Sequence, residues 1–320
     1  MKIFKIFGII ILSLIAIIAV FVTASAVNHN IKLRQEAKKY PPPGQMVEVN
    51  NKQLHVYAEG EGDVTLVFMA GHGTSNPTLD FKPLWMRMVD EYRIVVVEKS
   101  GYGWSESVNS PRDIETMLEE TRKALEISGE KAPYVLFPHS MSGLEAIYWA
   151  QEYPDEVKAI IGLDPLIPEM VDLMPEPPKA QLNLMYFISR IGLSRLMPES
   201  DIGENLPLMK SNALSEQDKK QFLAVFYKSA FTKEMLREVD DLSVNAEMAT
   251  SNQTPASTPM LFFISEGQEN NVPGWKETLT NYLDKIAVSE AVHLDTGHYI
   301  HYDKAEKIAE TSKDFLSKIN

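Results

Sequence analysis

The sequence predicts an α/β fold: an eight-stranded, mostly parallel sheet flanked by helices, with an inserted helical cap and one N-terminal transmembrane helix. Three observations carry this. From Met46 onward, short β-branched runs alternate with stretches of helical periodicity, the rhythm of parallel strands joined by helical crossovers. Between Leu166 and Thr258 that rhythm stops, and no convincing strand occurs. Ahead of both lies an uninterrupted apolar run from Ile6 to Val27.

The apolar run follows Lys2 and Lys5 and is softened only by Gly8, Ser13, Thr23 and Ser25. As a helix it is long enough to cross a hydrocarbon layer of about 30 Å. A cleaved signal peptide usually carries only about 7 to 15 apolar residues. Residues 1–27 therefore read as a membrane anchor, although Ala24-Ser25-Ala26 offers a small-residue site for cleavage and secretion. The expected location is the cell membrane, single-pass, with the folded domain outside the cytoplasm. Lys32, Arg34, Lys38 and Lys39 on the far side oppose the pull of Lys2 and Lys5 on that orientation. Residues 28–45 read as a linker: a polar, Lys-rich stretch to Tyr40, then Pro41-Pro42-Pro43-Gly44 as a stiff spacer.

The folded domain is expected over residues 46–320. Strands are placed at Met46–Val49, Leu54–Ala58, Thr65–Met69, Arg93–Val97, Tyr134–Pro138, Ala159–Leu163, Met260–Ile264 and Val288–Leu294. Helices fit Phe81–Asp90, Pro111–Ser128 closed by Gly129, the segment from Ser140 to Glu152, Gly274–Leu283 and Lys304–Lys318. A structureless loop as long as 166–258 is improbable. That interval reads as a helical cap, with helical runs at Gln181–Ile191 and Glu216–Phe231. Its Leu184, Met185, Phe187, Ile188, Leu193, Leu196 and Met197 either line a pocket or form the cap's own core.

Composition narrows the function. Of 320 residues, 44% are apolar and 23% charged, ordinary for a globular chain. The 44 acidic residues outnumber 31 basic ones, for a net charge of −13 with no compensating basic stripe. Such a field repels phosphate backbones, so nucleic acid is not an expected partner. With no cysteine, the chain has no disulfide, cysteine nucleophile or lipidated N-terminal cysteine. No His/Asp/Glu group has metal-ligand spacing, and neither metal nor organic cofactor is implied. Oligomeric state is left open.

The chemistry concentrates in Phe137-Pro138-His139-Ser140-Met141-Ser142-Gly143, where an apolar strand turns sharply into a helix. A serine at such an apex is lifted clear of the sheet, with the next N–H aimed at a developing oxyanion. This segment resembles the nucleophile elbow of the α/β-hydrolases, with Pro138 and Ser142 where that family usually has glycines. A serine needs an imidazole to take its proton, and His298, in Thr296-Gly297-His298 between the last strand and the last helix, stands where the family places its base. His55, His139 and His301 are less well placed and read as structural or surface groups. Two carboxylates could orient the base: Asp164, ending the sixth strand, and Glu269, after the seventh, with Asp164 favoured for its rigid position. The loop Met69-Ala70-Gly71-His72-Gly73-Thr74 resembles the family's oxyanion loop. Together with Met141 it nominates the N–H of His72, with Gly73 as the neighbouring register. The stretch Glu98-Lys99-Ser100-Gly101-Tyr102-Gly103 resembles the family's loop after the fourth strand, which usually opens with Asp, and borders the site.

The resemblance covers about Met46 to Asn320, interrupted by the cap. It implies a serine hydrolase of the esterase/lipase-like kind, acting through an acyl-enzyme on a small-molecule or lipid-like ester, less readily an amide. Dehalogenase and epoxide hydrolase chemistry in this fold needs a carboxylate where Ser140 stands. Two alternatives remain open. A peptidase of the proline-iminopeptidase kind would need an acidic cluster in the cap, for which Glu199, Asp201 and Glu204 are candidates. A non-catalytic, membrane-anchored hydrolase-like binding module is the other.

Overall fold

In the computed structural model, which describes residues 2–108, 110–174, 177–198, 202, 206–210 and 213–319, all eight expected strands are present in one sheet. They are β1 Gln45–Val49, β2 Lys52–Glu59, β3 Thr65–Met69, β4 Arg93–Glu98, β5 Tyr134–Pro138, β6 Val157–Leu163, β7 Met260–Ser265 and β8 Ser289–Leu294. Their order across the sheet is β1-β2-β4-β3-β5-β6-β7-β8. β1 and β2 form an antiparallel hairpin whose turn, Asn50-Asn51, takes positive φ at both residues (51° and 62°). Asparagine tolerates that conformation, and such turns match the twist of the flanking strands. β2 pairs antiparallel with β4, and every other neighbour is parallel.

The parallel strands are buried on both faces, which is why they read as continuous apolar runs rather than alternating ones. Val67, Val95, Leu136 and Phe262 pack into the core on one face. Their immediate neighbours Phe68, Val96, Val135 and Phe263 pack into the core on the other. On the first face lie α2 (Ile114–Ser128) and α3 (Ser142–Glu152). Asp113 sets the start of α2, three residues later than expected, by accepting the Thr116 N–H at 2.8 Å; Gly129, at φ 87°, ends it. The helix expected over 81–90 is two short helical turns, Pro77–Asp80 and Lys82–Trp85. Pro83 has no N–H to donate to the preceding turn, so the two turns do not join as a single helix.

Among its described residues the insertion has no strand and is built of helices joined by turns. It contains α4 (Lys179–Arg190), α5 (Glu216–Ser229), α6 (Lys233–Asp240) and α7 (Leu242–Ser251). The run expected to reach Phe231 stops at Ser229, because Phe231 turns left-handed (φ 52°) and Thr232 caps α6. Glu199, Asp201 and Glu204 lie outside the described residues. The chain closes with α8 (Trp275–Leu283) and α9 (Ala305–Lys318).

The largest departure from expectation is at the N-terminus. A single helix, α1, runs from Lys2 to Lys39, through most of the stretch expected as linker. Its second half docks along one face of the cap. Ser25 Oγ donates to the Ile191 carbonyl at 2.7 Å. His29 is buried against Gly192, and its Nδ1 accepts from Arg195 Nε at 2.9 Å. Glu36 takes both guanidinium nitrogens of Arg195 at 2.7 and 2.6 Å. Leu33 packs against the apolar group Ile202, Leu223 and Tyr227, and Trp104 Nε1 donates to the Tyr40 carbonyl. Positions 25, 29, 33 and 36 recur at helical spacing, so one stripe of α1 makes the contacts with the cap. Tertiary contact overrides the linker-like composition.

Candidate active site

Neighbouring parallel strands end at the same level, and this assembles the site. β3 and β5 pair in the register Met69↔Pro138, at the point where the chain, having stepped from β3 to β4, returns to the other side of β3. Crevices in open α/β sheets form at such a reversal, beyond the carboxyl ends of the strands. Ser140 occupies the apex of the turn from β5 to α3 at φ 54°, a conformation most L-residues avoid. Three contacts hold it. The Leu166 N–H donates to the Ser140 carbonyl at 2.8 Å. Ser142 Oγ donates to the Met69 carbonyl at 2.7 Å and shares that hydrogen with the His139 carbonyl at 2.9 Å, tying the elbow to β3. Gly71 passes so close that a Cβ there would sit 2.8 Å from Ser140 Cβ and 2.9 Å from the His139 carbonyl. Ser142, a departure from the expected glycine, thus has its own structural task, while Gly143 provides the close approach, since a side chain there would strike the Leu166 carbonyl.

β6, β7 and β8 deliver the other groups. His298 Nδ1 lies 2.6 Å from Asp164 Oδ2. Asp164 is fully buried at the end of β6 and receives three further donors: Ser265 N–H at 2.8 Å, Ser265 Oγ at 2.6 Å and Trp275 Nε1 at 2.8 Å. Its left-handed backbone (φ 51°) turns the carboxylate along the strand ends. Because the carboxylate accepts, Nδ1 carries the hydrogen and Nε2 is left with a free lone pair. Glu269, the alternative acid, is engaged elsewhere: it accepts the N–H groups of Gly274 and Lys276 at 2.8 and 3.1 Å, capping α8. Those two bonds hold its carboxyl below the usual range.

His139, set aside by the sequence reading, buttresses His298. It is buried, and its Nε2–H donates to the His298 carbonyl at 3.1 Å, with the two ring centres 4.7 Å apart. Burial first, then the neighbouring His298 and His301, push its pKa well below the ordinary value, so it stays neutral beside the base. His301 in turn pairs with Asp80 at 2.9 Å, and His55 pairs with Glu98 at 3.0 Å. Glu98 also accepts from Thr78 Oγ1 and the Trp104 N–H, fixing the loop after β4. Trp275 and Ser265 were equally invisible beforehand, since nothing local marks either as a partner for Asp164.

Of the nominated oxyanion donors, the amides of His72 and Met141 donate to no protein acceptor among the described residues. The Gly73 N–H faces the Tyr102 hydroxyl instead. That hydroxyl donates to Glu238 Oε2 of the cap at 2.6 Å. Glu238 lies 3.7 Å from Lys99 Nζ and 3.9 Å from His72 Nδ1, and Lys99 donates to Glu145 of α3 at 2.7 Å. A buried ionic cluster therefore joins the cap to the loops after β3 and β4 and to α3. Burial works against the Lys99 charge, but Glu145 and Glu238 outweigh it and raise its pKa.

A serine on a strained turn and an imidazole oriented by a buried carboxylate thus both stand at the carboxyl edge of the sheet. A profile of the alpha/beta hydrolase fold matches residues 71–191. The uncharacterized protein YbdG of Bacillus subtilis (strain 168) is 30% identical over 321 residues, 98% of each chain. An sn-1-specific diacylglycerol lipase of Mus musculus is 23% identical over 80% of this chain and 83% of its own. Among solved structures, epoxide hydrolase I of potato (Solanum tuberosum) superposes with a TM-score of 0.66 at 20% identity, covering 86% of this chain and 98% of the enzyme. The haloalkane dehalogenase DbeA of Bradyrhizobium elkani does so with a TM-score of 0.62 at 15% identity, over 86% and 97%. At those identities the two enzymes speak to the fold alone; the family profile and the full-length relative make this chain a member of the α/β-hydrolase fold superfamily and, with the lipase relative, a hydrolase.

Proposed function

We propose that the chain is a serine hydrolase cleaving carboxylic esters through an acyl-enzyme. In this reading Ser140 Oγ bonds to the acyl carbon while its proton passes to His298 Nε2, and His298 then gives that proton to the departing alkoxide. Water repeats the sequence in reverse, and the acid leaves. Asp164 keeps the His298 tautomer and offsets its charge, while the N–H groups of Met141 and His72 receive the oxyanion. The observation that carries the reading is the 2.6 Å contact between His298 Nδ1 and the buried Asp164 carboxylate. The anchor belongs to the same proposal. The most apolar stretch of α1 is left uncovered by the rest of the chain, as a single-pass membrane helix would be, and a lipid-derived ester is the substrate class that fits an enzyme held there.

A fluorophosphonate probe tests the reading. Wild type is expected to label and Ser140→Ala is not. Wild type that neither labels nor hydrolyses short p-nitrophenyl esters would sink the proposal in favour of a non-catalytic binding module.

A further inference from the structure

The contacts of α1 set a depth for the cap. The apolar run Ile6 to Val27 spans about 33 Å as a helix, close to one hydrocarbon thickness. Ser25 therefore sits about 3 Å inside the end of that run. Its hydroxyl is bonded to the Ile191 carbonyl at 2.7 Å, so the C-terminal end of α4 lies level with the hydrocarbon boundary. On the exposed side of α4, Phe187 is one turn from Ile191, whose N–H bonds to the Phe187 carbonyl, and Leu184 is nearly one turn further. These two side chains are 50% and 57% exposed, too large an apolar surface to leave facing water beside a membrane helix without consequence. Further along α1, Lys32 and Arg34 are exposed, about 10 to 14 Å beyond Ser25, where anionic headgroups would meet them.

We propose that the Leu184 and Phe187 face of α4 inserts into the bilayer boundary, so that the cap over the active site rests in the lipid surface rather than above it. The occupant of this face is the membrane that carries α1, and the argument is continuity: the same helix that crosses the hydrocarbon is bonded to the end of α4. The proposal rests on the apolar run being retained as an anchor. It also makes an ester presented within the same leaflet the preferred substrate, delivered beneath the cap without passing through water.

The absence of cysteine allows a direct test. In Ile17→Cys, Leu184→Cys, Phe187→Cys and Ile127→Cys forms of the full chain, one environment-sensitive fluorophore reports one position. Ile127 is exposed on α2 near the start of β5, at the opposite end of the sheet from the cap. In vesicles of equimolar phosphatidylcholine and phosphatidylglycerol with brominated acyl chains, labels at 17, 184 and 187 are expected to be quenched several-fold more than the label at 127. Quenching at 17 with positions 184 and 187 no different from 127 would overturn the cap proposal while leaving the anchor intact. No quenching at 17 would overturn the anchor reading and this one with it. A second readout needs no label: Phe187→Asp should lower turnover of a bilayer-presented ester several-fold and leave a short soluble ester unchanged, and equal loss on both substrates would contradict the proposal.

Discussion

Ser140 is held where an L-residue is strained by about 1–2 kcal/mol, at φ 54°. Replacing it by glycine should abolish probe labelling while stabilising the fold by about 1 kcal/mol, read from urea denaturation. The two carboxylates separate as cleanly. Asp164→Asn puts a hydrogen-bond donor where His298 must donate, and kcat is expected to fall by about 10³ to 10⁴. Glu269→Gln weakens only the cap of α8, costing under about 1 kcal/mol with kcat kept. If steady-state kinetics on a chromogenic ester gave the opposite ranking, the assignment of the acid would be wrong. Glu238 predicts a pH effect. Burial opposes its charge, but Lys99, then His72 and the Tyr102 hydroxyl, outweigh it and hold the carboxyl at about 2, against 4.5 for an ordinary glutamate. A depressed carboxyl contributes stability that is fully present above the ordinary value and is lost as pH falls from about 4.5 through about 2. Acid unfolding should therefore be less steep across that window in Glu238→Gln than in wild type.

At the scale of elements, close backbone approach is the vulnerable point. Gly71→Ala would drive a methyl into Ser140 Cβ and the His139 carbonyl, neither of which can swing aside. A displacement of the elbow by a few tenths of an ångström to 1 Å should cost up to about 10²-fold in kcat, with the circular dichroism spectrum unchanged. What was legible beforehand follows the same local logic. Each strand is a short apolar run bounded by turn residues, and the elbow and its histidine lie next to strand ends, so their positions could be read along the chain. The partners of Asp164 could not, because Ser265, Trp275 and His298 lie more than a hundred residues away in sequence and meet it only through strand order. The continuation of α1 was equally hidden. Asn28 to Lys39 is polar and linker-like, and its helix is secured by Arg195, Ile191 and Trp104, all distant in sequence. Pro83 shows the reverse case, a local signal present and passed over.

At the scale of the whole molecule, the sheet separates two cores and presents its carboxyl edge to a cap that is held both by the body and by α1. Body and cap meet through ions at Lys99, Glu145 and Glu238; cap and α1 meet through Arg195 and Glu36. No flexible joint lies between the apolar run and the cap contacts, since α1 is helical from Lys2 to Lys39. A membrane helix too long for its bilayer tilts, and in the anchored state proposed above the tilt could not be absorbed before it reached the cap. With α1 spanning the bilayer as proposed, the helix would work as a lever, converting bilayer thickness into a rotation of the cap against the sheet. Turnover of a soluble ester by the vesicle-bound enzyme should change with acyl-chain length, and Arg195→Ala with Glu36→Ala should flatten that dependence. The bilayer would then act as an effector of this enzyme through its mechanical dimensions alone.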